Sequence, residues 1–277
     1  MKICYMDGVF MPFDQAVLPA SDHIILRGIG VFDLVRTYDR RPMMMTYHLE
    51  RLQRSALALG IQKSMSLEVM KSIVRDGIAR VDGTGEVLAC FYITGGDRFV
   101  DGCSFPQPRH FVTFEELSLP DEKLYAQGVR LFPLDRERLM PSAKSIDYSA
   151  ALAKNSADPK ALEVLYCPGG MITEAGHSSF FLVKDDIVIT APDDQVLAGT
   201  TRSLIIQLLE ESRIPLERRP LRLSEVQGSQ EAFITGSVKE IMPVVQVGTI
   251  TVGSGIPGPV SARIRTLYRK NIPRWLE

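Results

Sequence analysis

Apolar and polar positions along the chain follow two different periods. Apolar residues recur every three or four positions over 47–60 and over 66–81, which predicts two amphipathic helices. Residues 86–94 form a near-continuous apolar run typical of a buried strand, and residues 109–117 predict another strand. The opening KICYMDGVFM places Asp-Gly between two apolar runs, as in a β-hairpin. The first part of the chain is therefore expected to combine strands and helices in one small domain.

The pattern changes after residue 120. We interpret the polar residues 121–130 as a linker between a small domain of residues 1–120 and a larger domain of residues 131–277. In the larger domain, short apolar runs are separated by Gly, Pro and Asp, and the sequence predicts one clear helix at 201–214. Many strands with few helices are typical of a barrel-like or sandwich-like domain. The predicted fold class is therefore α+β.

Composition and charge argue against several classes of binding partner. The 277 residues contain 32 Lys and Arg against 33 Asp and Glu, which argues against a nucleic-acid-binding surface or a polybasic membrane surface. No apolar run approaches the roughly 20 residues of a membrane-spanning helix, and Asp7 interrupts the start where a signal peptide needs an apolar run. The four cysteines and four histidines have no metal-binding or redox spacing. We therefore expect a cytoplasmic protein without metal, nucleic-acid or membrane partners.

The residues that flank Lys144 and Glu174 indicate that these two side chains are functional. Lys144 lies in PSAKSIDYSAAL among small residues, and a lysine in a tight, partly apolar site loses its proton more easily and can form a Schiff base. Glu174 lies in GGMITEAGHSSFFLV, where the apolar run that follows indicates a packed turn and a buried, partnered carboxylate. The alternative for each is a solvated surface charge.

Three segments have features of an anion site. The Gly-Thr-Thr at 199–201 begins a predicted helix, where backbone N–H groups and the helix dipole attract anions. The turn TGSVKE at 235–240 could supply a second group of N–H donors. Arg51 borders the apolar stripe of its helix and could reach a phosphate. An ordinary helix cap, an ordinary turn and a surface arginine are the alternatives.

The order of these segments resembles the class IV, fold-type IV, pyridoxal-phosphate-dependent aminotransferases. The matching stretches are RGIGVFDLVRTY, YHLERLQRSA, AKSIDY, GGMITEAGHSSFFLV, VLAGTTRSLI and AFITGSVKEIMPV. This family includes branched-chain aminotransferases, D-amino-acid transaminases and aminodeoxychorismate lyases. The resemblance covers nearly the whole chain, and it implies a small N-terminal α/β domain, a larger C-terminal pseudo-barrel domain that carries the Schiff-base lysine, and a homodimer.

The resemblance also implies roles for individual residues. Lys144 matches the lysine that holds pyridoxal 5'-phosphate and moves a proton at the substrate α-carbon. Glu174 matches the acid that keeps the pyridine nitrogen protonated, and Tyr148 matches a tyrosine near the ring hydroxyl of the cofactor. The residues that match the phosphate site are Arg51, Thr200, Thr201, Gly236 and Ser237.

The substrate carboxylate has no clear partner in the sequence. Well-known D-amino-acid transaminases bind it with Arg-x-His, and here TGGDRFV supplies Arg98 but places Val100 where the histidine is expected. Arg27, directly before the GIGVF turn, is the other candidate because a guanidinium can bind a carboxylate through two hydrogen bonds. Phe32 and Val238 are expected to line the same substrate site.

The expected reaction transfers an amino group between an amino acid and a 2-oxo acid, with the D-amino-acid type favoured. KSIDY lacks one residue of the branched-chain motif K-x-G-G-N-Y, and GHSS lacks its G-E-N. A branched-chain L-amino-acid aminotransferase is the alternative, because TGSVKEIMPV, GSGIPGPV and Phe32 resemble that group. An aminodeoxychorismate lyase and a non-catalytic homologue are further alternatives.

Overall fold

The computed structural model describes residues 2–62, 65–100 and 104–277, which divide into two units. Unit 1 comprises Met1–Ser118, Ser142–Asp147 and Pro273–Glu277, and unit 2 comprises Leu119–Pro141 and Tyr148–Ile272. The segment that carries Lys144 thus belongs to unit 1, whereas the sequence analysis placed it in the second domain. Its place follows from pairing with distant residues, since the Ile146 N–H donates to the Gly30 carbonyl at 3.1 Å.

Unit 1 is built on a six-stranded antiparallel sheet with the strand order β2-β1-β6-β5-β3-β4. The strands are Ile3–Met6 (β1), Val9–Pro12 (β2), Gly30–Tyr38 (β3), Arg41–Pro42 (β4), Val87–Thr94 (β5) and Arg109–Glu116 (β6). The predicted hairpin is confirmed, with Asp7 and Gly8 both at positive φ, the conformation that a two-residue turn of this kind requires. The strands predicted at 86–94 and 109–117 are also confirmed.

The described residues of unit 1 contain three helices. They are His23–Arg27 (α1), Met45–Ala58 (α2) and Leu67–Arg80 (α3). Ser66 caps α3 by accepting a hydrogen bond from the Val69 N–H, which confirms the predicted helix and its cap. Gly77 on this helix lies against Phe114 of the sheet, and a Cβ there would come within 2.1 Å of the phenyl ring. The helix can therefore pack closely on the sheet only with glycine at this position.

Unit 2 contains an eight-stranded mixed sheet and a separate two-stranded one. The strands are Val129–Leu134 (β7), Glu163–Tyr166 (β8), Met171–Ile172 (β9), Ser179–Lys184 (β10), Ile187–Thr190 (β11), Leu216–Arg218 (β12), Leu221–Arg222 (β13), Glu231–Gly236 (β14), Glu240–Val247 (β15) and Ile250–Thr251 (β16). The larger sheet has the order β12-β11-β10-β14-β15-β7-β8 with β16 beside β15, and β13 pairs with β9. Every strand expected from the short apolar runs is present.

The helices of unit 2 are Glu122–Gln127 (α4), Lys154–Ala157 (α5), Thr200–Glu211 (α6) and Pro259–Asn271 (α7). The predicted helix at 201–214 corresponds to α6, whereas the sequence analysis missed α7. That helix begins with Pro259, a favoured first position, and buries Ile264 and Tyr268 four residues apart. The residues interpreted as a linker contain α4 and the start of β7.

Two kinds of feature are absent from the described residues. Within residues 2–62, 65–100 and 104–277, no helix combines the length and apolar character needed to cross a bilayer. In the same ranges, no group of three or more His, Cys, Asp or Glu side chains is arranged to hold a metal ion.

His110 on β6 makes the stability of unit 1 depend on pH. Burial lowers the pKa of its imidazole from 6.5 to about 4. Below about pH 6.5 the imidazole is therefore protonated in the unfolded chain but stays neutral in the folded chain. The free energy of unfolding consequently falls as the pH falls from 6.5 towards 4.

When the pH is lowered from about 7 to about 5, His110→Leu should lose about 1–2 kcal/mol less unfolding free energy than the wild type. Urea unfolding at the two pH values measures this, and equal losses would contradict it.

Candidate active site

A buried carboxylate organises the polar residues of unit 1. Asp33 on β3 is 1% exposed, and Arg51 on α2 donates to it from Nε and from one Nη, each at 2.7 Å. His48 Nδ1 lies 2.8 Å from the Asp33 Oδ1 atom. Burial would raise the pKa of Asp33, but the charge of Arg51 and the contact with His48 outweigh it and hold this pKa well below its usual range. The guanidinium plane of Arg51 is therefore fixed by an ionised partner.

Lys144 is held through its backbone in the same unit. Its carbonyl accepts a hydrogen bond from the Phe32 N–H at 3.0 Å, and its own N–H donates to Ser55 Oγ at 3.0 Å. The Ser55 hydroxyl donates in turn to the carbonyl of Arg51 at 2.8 Å, which ties the lysine to α2. The residue is 8% exposed, and its Nζ lies 4.7 Å from the centroid of the Phe32 ring. Unit 1 therefore brings together Lys144, Arg51 and Phe32 from the predicted set.

Phe32 begins a ladder of aromatic rings across the sheet. It stacks on Tyr92 at a centroid distance of 5.7 Å, and Tyr92 stacks on Phe111 at 4.6 Å. The three residues stand side by side on adjacent strands, where cross-strand pairs stabilise a sheet. The ring under the Lys144 amine is therefore braced by two more rings.

In unit 2, Glu174 is a buried carboxylate with identified donors. It is 3% exposed, accepts from Arg138 Nη1 at 3.1 Å on Oε1, and accepts from the Leu197 N–H at 3.3 Å on Oε2. The prediction of a buried, partnered acid is confirmed. A cation and a backbone N–H donor therefore satisfy this buried carboxylate.

The start of α6 lies three residues after Leu197. Gly199 is the N-cap residue and supplies no side-chain acceptor, and a Cβ there would lie 2.7 Å from Ser179 Oγ. Thr200 and Thr201 in the first turn are buried. Arg202 anchors this turn, because its guanidinium donates to Asp193 at 2.6 Å and to the Ala191 carbonyl at 2.7 Å. The predicted helix start is thus present, whereas its role as an anion site stays a prediction.

The second predicted turn joins β14 to β15. Ser237, Val238 and Lys239 form the three-residue connection, and a Cβ on Gly236 would lie 3.5 Å from the carbonyl oxygen of His177. Tyr148 stacks on the same His177 with ring centroids 4.7 Å apart and an interplanar angle of 4°. Unit 2 therefore places Tyr148 and the turn next to the loop that follows Glu174.

The two candidate arginines for substrate binding are both exposed. Arg27 lies in the last turn of α1, and Arg98 lies in the loop after β5. In that loop Asp97 accepts hydrogen bonds from Ser21 and from Arg109 at 3.1 Å each. The substrate roles of Arg27 and Arg98 stay predictions.

The sequence analysis missed three residues of these clusters. Asp33 had a signal, because it alternates with the apolar Val31 and Val35 along a strand and so occupies an inward-facing position. The sequence also contained a signal for His48, since it lies three residues before Arg51 on the same helix face. Arg138 had none, because it lies in an irregular segment and reaches Glu174 only through the fold.

Residues 30–247, more than half of the chain, match the model of the family described as amino-transferase class IV. The chain therefore belongs to this family and is a class IV aminotransferase. Enzymes of this class use pyridoxal 5'-phosphate as cofactor.

Individual relatives point to more than one substrate. The chain is 28% identical to a Methanocaldococcus jannaschii protein named provisionally as a branched-chain-amino-acid aminotransferase, with 99% of this chain and 98% of that protein covered. It is 27% identical to the D-alanine aminotransferase of Bacillus licheniformis, over 98% and 97% of the two chains. A solved structure of the branched-chain amino acid aminotransferase from Escherichia coli has a TM-score of 0.85 at 23% identity, covering 100% of this chain and 96% of that one. This likeness confirms the predicted α+β fold of the fold-type IV enzymes.

The chemistry of the donors in each unit fits this cofactor. An aldehyde needs an amine, and Lys144 supplies one in a buried setting. A pyridine nitrogen that must stay protonated needs a carboxylate, and Glu174 is a buried carboxylate held by Arg138 and the Leu197 N–H. A phosphate needs several N–H and O–H donors, and the α6 start and the turn after Gly236 supply both kinds.

Asp33→Asn should destabilise the protein strongly. The substitution leaves the buried Arg51 guanidinium without its counter-charge, and breaking a buried ion pair in this way costs about 3–5 kcal/mol. Urea unfolding near neutral pH measures the change, with Asp82→Asn at an exposed position of the same unit as control. A loss no larger than that of the control would show that the pair contributes nothing to stability.

Proposed function

We propose that this protein is a transaminase of the D-amino-acid type, which moves an amino group between an amino acid and a 2-oxo acid. The observation that carries the proposal is the setting of Lys144. The lysine is buried, both of its backbone polar groups are bonded, and its amine lies over an aromatic ring. Burial is the feature that sets it apart, because lysine side chains are mostly exposed.

In this proposal Lys144 has two tasks. Its amine would hold the cofactor through the aldehyde carbon, with loss of water, and when free it would take the proton from the substrate α-carbon. The cofactor, when bound, supplies a protonated ring that stabilises negative charge at that carbon. Glu174 would hold the proton on the ring nitrogen, and Tyr148 would donate a hydrogen bond near the ring hydroxyl.

We assign five residues to the phosphate. They are Arg51, Thr200, Thr201, Gly236 and Ser237. The structure supports this by presenting the first turn of a helix, where the positive end of the dipole favours a dianion. Asp33 would orient the guanidinium of Arg51 for the same purpose, since Nε and one Nη are already bound to it.

The D-amino-acid assignment is supported by the spacing around Lys144 and by the loop after Glu174. Lys144 and Tyr148 are four residues apart, one fewer than in the branched-chain motif, and His177 and Ser178 replace part of its G-E-N. The substrate carboxylate is assigned to Arg27 or Arg98, with Phe32 and Val238 lining the side-chain space.

A branched-chain L-amino-acid aminotransferase is the second candidate. It is favoured by the hairpin turn after Gly236, whose sequence TGSVKEIMPV resembles that group and whose backbone N–H groups could bind a carboxylate. The homodimer and the cytoplasmic location stay predictions for either candidate.

A transamination screen of paired D- and L-amino acids against 2-oxoglutarate and pyruvate tests the proposal. We expect turnover of D-amino acids, measured as formation of the new amino acid. Turnover confined to branched-chain L-amino acids would replace the first candidate by the second. No transamination of any pair would overturn both.

Lys144→Ala should abolish the visible absorbance that a covalently held cofactor gives and should lower turnover by about 10³-fold or more, because both tasks of the amine are lost. Absorbance spectra and steady-state rates measure these effects. Lys160→Ala, at an exposed position, is the matched control and should behave as the wild type. Retained absorbance and turnover in Lys144→Ala would assign both tasks to another group.

Glu174→Gln should lower the rate of the half-reaction with an amino acid by about 10²-fold or more, because a neutral amide no longer favours the protonated ring. The cofactor should still bind, since the phosphate donors are unchanged. Stopped-flow absorbance measures the rate, with Glu217→Gln at the surface as control. Near-normal kinetics in Glu174→Gln would remove this residue from the mechanism.

A further inference from the structure

Glu163 is a second buried carboxylate of unit 2, and neither the sequence motifs nor the proposed mechanism uses it. It begins β8 and is 3% exposed. The His177 N–H donates to it at 2.7 Å, Ser178 Oγ donates at 2.8 Å, and Lys239 Nζ lies at 2.6 Å. We call Glu163 and these three partners the Glu163 cluster.

The partners of Glu163 come from two separate segments. His177 and Ser178 belong to the loop between Glu174 and β10, whereas Lys239 belongs to the turn between β14 and β15 that contains Ser237. One carboxylate therefore binds the loop that follows Glu174 and the turn that contains Ser237. The two segments also lie close together at Gly236, because a Cβ added to this glycine would lie 3.5 Å from the carbonyl oxygen of His177.

The charge of Lys239 allows this carboxylate to stay ionised. Burial would raise the pKa of Glu163, but the charge of Lys239 and the contacts with His177 outweigh it and lower this pKa. The Lys239 side chain is 21% exposed, so water weakens the pair only in part. Removing the lysine would leave a buried anion with two neutral donors.

Lys239 is itself fixed from its outer side. Its carbonyl accepts a hydrogen bond from Tyr125 Oη at 2.9 Å, and the centroid of the Tyr125 ring lies 3.7 Å from the guanidinium carbon of Arg265. The next residue, Glu240, has a φ of 54° and accepts from Arg269 at 2.7 Å. Contacts with α4 and α7 thus hold the backbone at the end of the turn, and the ion pair with Glu163 holds the Lys239 side chain.

The cluster also sets the surroundings of Tyr148. The His177 ring stacks flat on Tyr148, and the backbone of His177 is held by Glu163. Three residues that the proposed function assigns to the cofactor therefore neighbour the cluster: Glu174 by sequence, Ser237 two residues before Lys239, and Tyr148 through His177.

We propose that Glu163 and Lys239 are positioning residues for the cofactor, and that their ion pair fixes the phosphate-binding turn relative to the loop that follows Glu174. This inference rests on the proposed function. Loss of the ion pair should release the turn, so the phosphate should bind less tightly while the chemical groups themselves remain.

Lys239→Met removes the charge and keeps the length of the side chain. In the full-length protein we expect the dissociation constant for pyridoxal 5'-phosphate to rise about tenfold, a factor that corresponds to one weakened anion contact. The constant for pyridoxal, which lacks the phosphate, should change less than about twofold. Lys239→Arg should restore wild-type affinity, because a guanidinium can still pair with Glu163.

Two further proteins complete the set. Arg130→Met breaks the Arg130–Asp158 ion pair of the same unit, at 3.0 Å, and should leave both dissociation constants unchanged. The double variant Glu163→Gln/Lys239→Met removes both charges and so avoids a buried unpaired anion. If Lys239→Met does not fold, the double variant takes its place, with the same rise in the dissociation constant expected.

Amide hydrogen exchange of the cofactor-free proteins tests the positioning directly. Exchange over residues 176–179 and 236–239 should be faster in Lys239→Met than in the wild type, and should return to wild-type rates in Lys239→Arg. Unchanged exchange and an unchanged dissociation constant in Lys239→Met, or an equal rise in Arg130→Met, would overturn the positioning role alone. A wild-type protein that binds no pyridoxal 5'-phosphate would overturn the proposed function and this cofactor role with it.

Discussion

A carboxylate buried in a protein needs cations or N–H groups in place of the water it has lost, and both units of this enzyme meet that constraint. Asp33 has Arg51 and His48, Glu174 has Arg138 and a backbone N–H, and Glu163 has Lys239. Each carboxylate fixes the orientation of its partners. Arg51 and Glu174, two of the residues assigned to the cofactor, are therefore held in place by a buried charged partner.

Fixed charge is what aminotransferase chemistry requires of its protein. Groups that stabilise a developing charge act best when they are oriented before the reaction, because reorienting them during it costs free energy. The anchoring of the α6 start by Arg202 and the bracing of Phe32 by Tyr92 serve the same end by other means. Each unit thus presents groups whose orientation is set by neighbouring protein groups.

The parts of the fold that depend on neighbours in sequence could be predicted, and those that depend on long-range contacts could not. Local periodicity and capping identified α3 with its Ser66 cap and the hairpin at Asp7. The place of Lys144 in unit 1 depends on pairing with Gly30 and Phe32, more than a hundred residues away, and no local pattern encodes it. The contact of Arg138 with Glu174 could not be predicted for the same reason. Motif order identified the family, whereas it could not distinguish substrates that differ only in handedness or side chain.

The central claim is that Lys144 carries the cofactor, and chemical labelling of the intact enzyme tests it most directly. Borohydride reduces the bond between a lysine and pyridoxal 5'-phosphate to a stable link, and peptide mapping by mass spectrometry then identifies the lysine. We expect the label on the peptide that contains Ala143, Lys144 and Ser145, with loss of the visible absorbance in proportion to labelling. Label on a different lysine, or loss of absorbance without label at Lys144, would contradict the account.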